Sequence, residues 1–459
     1  MKNILLFSLL AKKQINIYNI SIPLFCLGDV PMNKKLFDFI AKSPTPFHAV
    51  KTICEVLSEI GYTELCESEK WNLESGKGYY VTRNGSSVIS FRIPEDDFSG
   101  FMITASHCDS PCFKIKENAE LSDQYYVRLS TEGYGGMLCS TWMDRPLAVA
   151  GRVTLRTEKG ISVRLIDTKE PCAIIPNVAI HMNREANKGM NYNAAVDMLP
   201  LFAEGEAKGS FKALIAKTAG CDEKDIITTD LIVYNPQPGT EWNGFISAPR
   251  LDDLQCAFGA LEAFTSAEKT GNLPVYCVFD NEEVGSQTKQ GAASTFIAAV
   301  LERISESLGL SSSEHYGKIA NSFMLSCDNA HAVHPNHPEY QDKNHAVYMN
   351  KGIVIKYNAN QRYTSDAVSA AVFQLVCEEA GVPFQRYANR ADMPGGSTLG
   401  NIANTQVSLN TVDIGLPQLA MHSSYETAGA KDTEYYVKAL TCFYGKSIIM
   451  EKDGNYKLI

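Results

Sequence analysis

The tetrapeptide Asp280-Asn281-Glu282-Glu283 directly follows the apolar run Val275–Phe279. Such a run, followed at once by charged residues, is typical of a buried strand that ends at the edge of a sheet. Because successive strand side chains alternate between faces, two adjacent carboxylates should point in different directions. One could then bind a metal ion while the other faces the reacting water, as a metal-dependent hydrolase requires. A solvated acidic turn is the alternative that this motif alone leaves open.

Three further apolar runs end in residues of the types that bind metals. They lead into His107, Asp328 and His422, and Asp252 stands at the start of a helical pattern over 251–266. Open α/β sheets bind ligands at the carboxyl ends of their strands, so we expect these residues to meet. Two histidines with several carboxylates suit a pair of divalent ions such as zinc. Buried, hydrogen-bonded carboxylates without a metal are the alternative, but these motifs contain no matching set of lysines and arginines.

The length and composition predict a large folded chain with a substantial core. The 459 residues are 45% hydrophobic and 20% charged, which favours two domains or one domain with an insert. The net charge of -10, without a stripe of lysines and arginines, argues against a nucleic-acid partner. The 13 cysteines form no Cys-x-x-Cys pair and several lie in apolar runs. We therefore expect reduced thiols and a cytoplasmic location.

The first 31 residues contain a short apolar run after Lys2, but Lys12 and Lys13 follow it and no Ala-x-Ala cleavage site is present. The run is too short to span a membrane, and we predict neither a targeting signal nor a membrane partner. We interpret residues 1–31 as an N-terminal extension, disordered or arising from a misassigned start. An amphipathic helix over 34–41 comes next.

The pattern of predicted strands and helices changes twice along the rest of the sequence. Residues 32–110 and 246–459 predict strands alternating with helices, whereas residues 111–245 contain short strand-like segments separated by glycine and polar residues. We therefore predict an α/β fold in which a discontinuous, mixed-sheet catalytic domain is interrupted by a β-rich insert. The predicted elements include a hairpin across Asn84-Gly85, helices over 251–266, 366–380 and 433–442, and strands over 275–279, 322–327, 352–357 and 384–388.

Six motifs stand in order along the chain: Thr104–Cys112, Ser140–Arg145, Ala248–Asp252, Asp280–Ser286, His331–Asn336 and Ala420–Ser423. In these motifs, and from about Met32 to its end, the chain resembles the aspartyl aminopeptidases. The resemblance implies a dinuclear metallopeptidase with two divalent ions, Zn²⁺ being the first choice and Mn²⁺ or Co²⁺ the alternatives. It also implies that residues 111–245 form a dimerisation domain, and that dimers assemble into a dodecamer. The implied substrates are peptides with N-terminal Asp or Glu.

The resemblance also implies roles for individual residues. His107 and Asp328 hold one metal. Glu283 and His422 hold the other, and Asp252 bridges both. Glu282 is the general base, and Asp109 orients the His107 ring, the usual support for a metal-bound imidazole. The implied substrate contacts are Glu282, Asp328, His331, Lys356 and Tyr363, together with His181, which reaches the active site of a neighbouring subunit.

Several of these assignments keep alternatives. Asp253 directly follows Asp252, where the resemblance leads us to expect an amide, and we interpret it as a carboxylate in the first helical turn. Lys356 could instead be a surface lysine at a strand end, and Tyr363 a core tyrosine. For the whole chain the alternatives are a dinuclear aminopeptidase of broader specificity and a non-catalytic, self-assembling scaffold.

Overall fold

The computed structural model describes residues 30–268 and 272–459. The interpretation of residues 1–31 as an extension therefore falls, for residues 1–29, outside the described residues. Within the described ranges the helices are α1 (Met32–Lys42), α2 (Pro46–Glu59), α3 (Ser210–Ala219), α4 (Leu251–Ser266), α5 (Phe296–Ser307), α6 (Ser312–Ala320), α7 (Ala367–Ala380), α8 (Leu399–Ala403) and α9 (Asp432–Tyr444).

The strands of the same ranges are β1 (Thr63–Leu65), β2 (Gly78–Arg83), β3 (Ser87–Arg92), β4 (Phe101–His107), β5 (Cys112–Ser122), β6 (Tyr126–Tyr134), β7 (Pro146–Thr157), β8 (Gly160–Asp167), β9 (Ala173–Ile174), β10 (Leu201–Glu204), β11 (Ile226–Tyr234), β12 (Thr240–Trp242), β13 (Phe245–Ala248), β14 (Leu273–Phe279), β15 (Phe323–Cys327), β16 (Ala330–His331), β17 (Ile353–Tyr357), β18 (Phe384–Ala388), β19 (Asn410–Gly415), β20 (Pro417–Leu419), β21 (Glu426–Gly429), β22 (Ile448–Lys452) and β23 (Asn455–Leu458).

The central sheet has the strand order β1-β2-β3-β14-β4-β15-β19-β17-β18. Its middle strands β14, β4, β15 and β19 run parallel to one another. Helices α1, α2, α4, α7 and α9 pack on the face to which Met102 and Phe323 point, and α5, α6 and α8 pack on the face of Ile103 and Met324. Because both faces are covered, adjacent strand residues enter different cores and both must be apolar. The predicted mixed α/β fold with covered faces is confirmed.

The predicted elements lie close to their expected bounds. Helix α4 spans the predicted 251–266. The hairpin of β2 and β3 turns through Asn84, Gly85 and Ser86, because Arg83 pairs with Ser87, and Asn84 and Gly85 have the positive φ angles of 58° and 67° that favour these residue types in turns. Strand β14 begins two residues before its predicted start, and α9 extends to Tyr444. Helices α3, α5, α6 and α8 were not among the predicted elements. No helix within the described ranges is long and apolar enough to cross a membrane.

A second sheet closes on itself. Its order is β11-β5-β6-β10-β9-β7-β8, and an additional pairing of β7 with β11 completes a ring that we call the barrel. Closure depends on Gly151, because a Cβ there would lie 2.0 Å from the backbone oxygen of Asp230. The barrel strands all come from residues 112–234 and enclose their own hydrophobic cluster around Phe113 and Leu147. These residues lie inside the predicted insert 111–245; its dimerisation role stays a prediction.

A third, small sheet with the order β12-β13-β21-β20-β16 lies beside the carboxyl ends of the central strands. In it Glu426 of β21 pairs with Ala248 of β13, four residues before Asp252. Ala330 and His331 of β16 pair with β20. This sheet therefore brings three distant parts of the chain to the edge where the candidate ligands end their strands. A two-stranded sheet of β22 and β23 completes the described C-terminal part.

Candidate metal centre

The carboxyl ends of β4, β14 and β15 meet at one edge of the central sheet. His107 is the last residue of β4 and pairs in register with Phe279, the last residue of β14. Asp328 follows β15 directly, and β15 runs parallel to β4. After β14 the chain turns at Asn281, which has a φ of 65°, into a short 3-10 turn that carries Glu282 and Glu283. The predicted meeting of strand ends is therefore what the structure contains.

Asp252 lies between the two candidate histidine ligands. Its Oδ1 is 3.5 Å from Nε2 of His107, and its Oδ2 is 3.5 Å from Nε2 of His422. The side chain is 3% exposed, so both oxygens are shielded from solvent. A carboxylate whose two oxygens face two different imidazoles has the arrangement needed to bridge two cations.

The remaining candidate ligands stand on either side of Asp252. Oδ1 of Asp328 is 3.8 Å from Nε2 of His107, and Oε2 of Glu283 is 3.3 Å from Nε2 of His422. Ligand atoms within 4.8 Å of one another form three overlapping groups: His107, Asp252, Asp253 and Asp328; His107, Glu282 and Glu283; and Asp252, Glu283 and His422. The overlap through shared residues is what a pair of adjacent ions would require.

Burial and mutual repulsion raise the pKa values of the acidic side chains of this centre. Burial, the larger cause, and nearby carboxylates raise the pKa of Glu282 to about 8, and they raise that of Glu283 well above its ordinary value. For Asp252 burial acts in the same direction, but hydrogen bonding to His107 and His422 outweighs it and lowers the pKa. The centre thus holds more negative charge than its protein partners neutralise.

Unpartnered oxygens show where cations would fit. Among the described residues, Oδ1 of Asp252, Oδ1 of Asp253 and Oε1 of Glu283 are buried and have no hydrogen-bond partner. A buried, unpartnered carboxylate is costly, whereas imidazole and carboxylate oxygen are ordinary ligands of zinc. The donor set therefore fits divalent metal ions.

Asp253 differs from the interpretation made from the sequence. It lies within the bounds of α4, but its φ and ψ of -118° and 23° are not helical, and the preceding peptide bond is cis. Its side chain is fully buried, and Oδ2 accepts the backbone N–H of His107 at 3.3 Å. Asp253 therefore stands at the start of α4, as interpreted, but it is a buried neighbour of the centre and its backbone departs from a regular first helical turn.

The far nitrogens of both histidines are held by hydrogen-bond acceptors. Nδ1 of His107 is 3.1 Å from the backbone oxygen of Asp109 and 3.4 Å from its Oδ1. Nδ1 of His422 is 2.6 Å from the backbone oxygen of Gly136. Both acceptors place a proton on Nδ1 and leave Nε2, which faces the carboxylates, free to bind a metal.

The predicted substrate contacts line a cavity next to the centre. Nζ of Lys356 is 3.4 Å from Oδ2 of Asp328 and 5.6 Å from the ring centroid of Tyr363. Burial opposes the charge of Lys356, but Asp328 outweighs this effect and raises the lysine pKa. The His331 ring lines the same cavity, with its centroid 6.4 Å from that of Tyr387 and the two ring planes at 66°. The lysine is therefore not on the surface.

His181 lies elsewhere. It is exposed in an irregular segment between β9 and β10, and it does not belong to the described residues that line the cavity. Its predicted reach into a neighbouring subunit concerns a contact between chains and stays a prediction.

Glu426 is a residue of the centre that the sequence reasoning missed. Its Oε2 accepts the backbone N–H of Asp252 at 3.0 Å, and its Oε1 accepts that of His422 at 2.8 Å. One buried carboxylate therefore fixes the backbone of two candidate ligands that are 170 residues apart in the chain. The signal in the sequence is its place four residues after His422, but nothing local indicates the contact with Asp252.

Comparison with known proteins identifies the family. A profile of the family described as "Aminopeptidase I zinc metalloprotease (M18)" matches residues 39–444. A probable M18 family aminopeptidase 2 of Clostridium novyi is 46% identical over 422 residues, covering 89% of this chain and 98% of the relative. Its counterpart in Clostridium acetobutylicum is 44% identical over 429 residues, covering 91% and 99%. The chain belongs to this family and is a metalloaminopeptidase, which confirms the predicted enzyme class.

Solved structures agree with this assignment. The structure of Ape4 in complex with Nbr1 matches with a TM-score of 0.87 and 35% identity, covering 90% of this chain and 85% of that one. The mature Ape1 dodecamer of S. cerevisiae matches with a TM-score of 0.78 and 28% identity, covering 90% and 95%. An M18 aminopeptidase of Thermotoga maritima, 23% identical with a TM-score of 0.79, has the same fold.

We expect Glu426→Gln to weaken zinc binding. The new amide NH₂ would face one of the two backbone N–H groups, so either Asp252 or His422 loses its fixed position. Loss of a residue that orients metal ligands typically weakens affinity by about 10–100-fold. Zinc content after dialysis against a weak chelator is the measurement.

Asp432→Asn is the matched control, because Asp432 also is a buried carboxylate that accepts two backbone N–H groups, those of Asn350 and Gly352. It should lower thermal stability but leave the zinc content unchanged. Equal zinc retention by both variants would contradict the role of Glu426.

Proposed function

We propose that this protein removes N-terminal Asp or Glu from peptides with a pair of divalent metal ions, Zn²⁺ before Mn²⁺ or Co²⁺. The observation that carries the proposal is the buried Lys356, 3% exposed, which lines the cavity beside the two-histidine centre. A lysine in that position offers a cation to an acidic substrate side chain. The family membership supplies the reaction class, and Lys356 supplies the argument for acidic residues.

The role proposed for each ligand depends on which other candidate ligands lie closest to it. His107 and Asp328 would hold one ion, Glu283 and His422 the other, and Asp252 would bridge them through its two oxygens. Metal ions held there would supply Lewis acidity toward the attacking water and the scissile carbonyl. The protein's own part is to fix both imidazoles through Asp109 O and Gly136 O and to exclude bulk water from the carboxylates.

Glu282 is the proposed general base. It follows β14 next to the proposed ligand Glu283, and one of its carboxylate oxygens lies within 4.8 Å of ligand atoms of His107 and Glu283. Its raised pKa of about 8 means that burial favours the protonated form. A carboxylate in this environment is suited to accept a proton from the attacking water and to pass it to the leaving amine.

We predict that Glu282→Gln lowers kcat by about 10²–10⁴-fold, the range typical of general acid–base catalysis. Zinc content and thermal stability should stay at wild-type values, because the amide keeps the shape of the side chain but cannot accept the proton. Steady-state kinetics with a metal assay on the same sample measures both. A variant that loses zinc would show instead that Glu282 is a ligand.

The substrate class is tested with matched fluorogenic amides of Asp, Glu, Leu and Lys. The protein is stripped of metal and then reloaded with zinc, manganese or cobalt. We expect activity on Asp or Glu that disappears on stripping and returns on reloading. A preference for Leu would favour the broader aminopeptidase. No cleavage by the metal-loaded protein would contradict the proposed function.

In the same assay Lys356→Met should lower kcat/KM for Asp and Glu amides far more than for the Leu amide. The methionine keeps the length and burial of the side chain but removes its charge. A cavity built around a cation discriminates strongly, because a neutral substrate leaves that cation desolvated and unpaired. Zinc content is measured as a control, since Lys356 also contacts Asp328. Equal losses on acidic and neutral amides would exclude Lys356 as the specificity residue.

We also propose a homo-oligomer, with residues 32–110 and 246–459 as the catalytic domain and 111–245 as the dimerisation domain. Large apolar side chains are exposed in the segment between β9 and β10 that carries His181: Val178, Ile180, Met182 and Val196, which are 49–84% exposed. Exposed apolar side chains of this kind are typical of a surface that another chain covers. A related aminopeptidase of S. cerevisiae is a dodecamer. We keep the cytoplasmic location as a proposal, in line with the free thiols of the described cysteines.

Light scattering of the purified protein should give the mass of a multiple of the 50.5 kDa chain, with twelve copies as the expected number. Met182→Asp places a charge at the most exposed apolar side chain of this segment and should reduce that mass. Glu158→Lys on the barrel turn between β7 and β8 is the control for a change of surface charge. A wild-type protein with the mass of one chain would contradict both the oligomer and the reach of His181.

A further inference from the structure

One short segment of the barrel touches both halves of the metal centre. It runs from Tyr134, the last residue of β6, to Thr141, and we call it the 134–141 segment. The hydroxyl of Tyr134 donates to Oδ2 of Asp109 at 2.6 Å and accepts a hydrogen bond from Nδ2 of Asn281 at 2.8 Å. The tyrosine thus joins the loop after β4 to the turn after β14.

Asp109 links Tyr134 to the metal centre through its own hydrogen bonds. Its Oδ1 accepts the backbone N–H of Glu282, and its Oδ2 accepts that of Glu283, both at 3.1 Å. The same residue faces Nδ1 of His107. With four groups to satisfy, Asp109 depends on Tyr134 to keep its carboxylate in one orientation. A hydroxyl bond to a carboxylate at 2.6 Å is of the strong, charge-assisted kind.

The second half of the segment holds the other histidine. The backbone oxygen of Gly136 faces Nδ1 of His422 at 2.6 Å, and the N–H of Leu138 donates to the backbone oxygen of His422 at 3.0 Å. Further along, Oγ1 of Thr141 accepts the N–H of Ser424, whose hydroxyl donates to the backbone oxygen of Thr141. Four hydrogen bonds therefore tie the His422 loop to the barrel.

Close approach at Gly135 shows that the segment has little freedom at this place. Its φ is 70°, and a Cβ there would lie 3.1 Å from Cβ of Glu283, which is tighter than nine in ten real contacts of that kind. Glycine is therefore favoured at this position by both its conformation and this close approach.

We propose that the 134–141 segment is a positioning element of the metal centre, with Tyr134 acting through Asp109 on His107 and Gly136 acting on His422. The inference rests on the proposed roles of these ligands. The barrel is then more than an assembly module: Tyr134, at the end of its first hairpin, holds the carboxylate of Asp109, and Gly136, just after that hairpin, accepts from the His422 imidazole. The metal centre is complete only when the barrel is folded against the central sheet.

The test is Tyr134→Phe in the full-length protein, which removes one hydroxyl and keeps the ring. We expect the zinc dissociation constant, measured by competition with a chromophoric chelator, to rise by about 10–100-fold. Activity on the preferred amide should recover when zinc is raised to saturation, because the ligands themselves are intact. Zinc affinity within about twofold of wild type would overturn the proposal.

Tyr234→Phe is the matched control. Tyr234 also is a barrel tyrosine whose hydroxyl donates to a carboxylate, that of Asp167 at 2.7 Å, but Asp167 contacts none of the proposed ligands. It should lose a similar hydrogen bond and similar thermal stability while keeping wild-type zinc affinity. Equal loss of zinc affinity in both variants would show a general effect of barrel stability and overturn the proposal.

The path through Asp109 is tested by a double-mutant cycle. In an Asp109→Asn background the further change Tyr134→Phe should alter zinc affinity by less than about twofold, since its partner is already weakened. Independent, multiplicative effects would overturn the path. Thr141→Val tests the contact of the segment with the His422 loop, because it removes the hydroxyl that accepts the N–H of Ser424. This variant should bind zinc more weakly than wild type, whereas Thr141→Ser, which keeps a hydroxyl, should bind zinc as wild type does. Wild-type zinc affinity in Thr141→Val would contradict a role for this contact.

These results are separable from the proposed function. A wild-type protein that binds zinc but does not prefer acidic amides contradicts the substrate class and leaves the zinc comparison valid. A Tyr134→Phe variant with unchanged zinc affinity contradicts the positioning role and leaves the aminopeptidase assignment intact.

Discussion

The concentration of buried carboxylates at one edge of the central sheet is the constraint on which the rest of the centre depends. Backbone N–H groups satisfy some of them: Asp109 accepts from Glu282 and Glu283, and Glu426 accepts from Asp252 and His422. Asp109 and Glu426 are thus satisfied without a metal, and they fix the backbone of the neighbouring acidic residues and of His422. Two of the proposed ligands, Asp252 and Glu283, each keep one buried oxygen that has no hydrogen-bond partner among the described residues. Buried charge of one sign is stable only with a counter-charge. We therefore interpret the carboxylates that accept backbone N–H groups as positioning groups, and those with unpartnered oxygens as ligands of a cation.

The parts of the fold and centre that could be predicted are those with local causes. The central strands are buried on both faces, so they consist of continuous apolar runs in the sequence. The polar residue that follows each run indicates where the strand ends. His107, Asp328 and Glu283 were found in this way. Helix α4 was found because its apolar positions recur with helical spacing. The meeting of these residues needed one further rule, that parallel strands present their carboxyl ends at a common edge.

The parts that could not be predicted depend on tertiary contacts with the backbone. Glu426 contacts N–H groups, which every residue except proline has, so no pattern of side chains indicates its partners. The hydrogen bond between the backbone carbonyl of Gly136 and Nδ1 of His422 likewise has no signal in the sequence. Asp253 was misread because its neighbourhood resembles a helix start, whereas its own dihedral angles are not helical. Helix α5 has a clear apolar face but does not end in a candidate ligand, so attention to strand ends did not reveal it. Helix α6 buries only Ile319 and therefore has little apolar periodicity to indicate a helix.

The place at which the barrel enters the chain accounts for its contacts with the centre. The chain leaves β4 at His107 and begins β5 at Cys112, so the barrel starts five residues from a proposed ligand. The hairpin of β5 and β6 pairs Cys112 with Tyr134, and this register returns Tyr134 to the point of departure, beside Asp109. The short connection from β4 and the register of this hairpin together place the end of β6 at the centre. Because a metal ion would bind only where both imidazoles are oriented, its binding free energy would stabilise the packing of the barrel on the sheet as well as the ligands themselves.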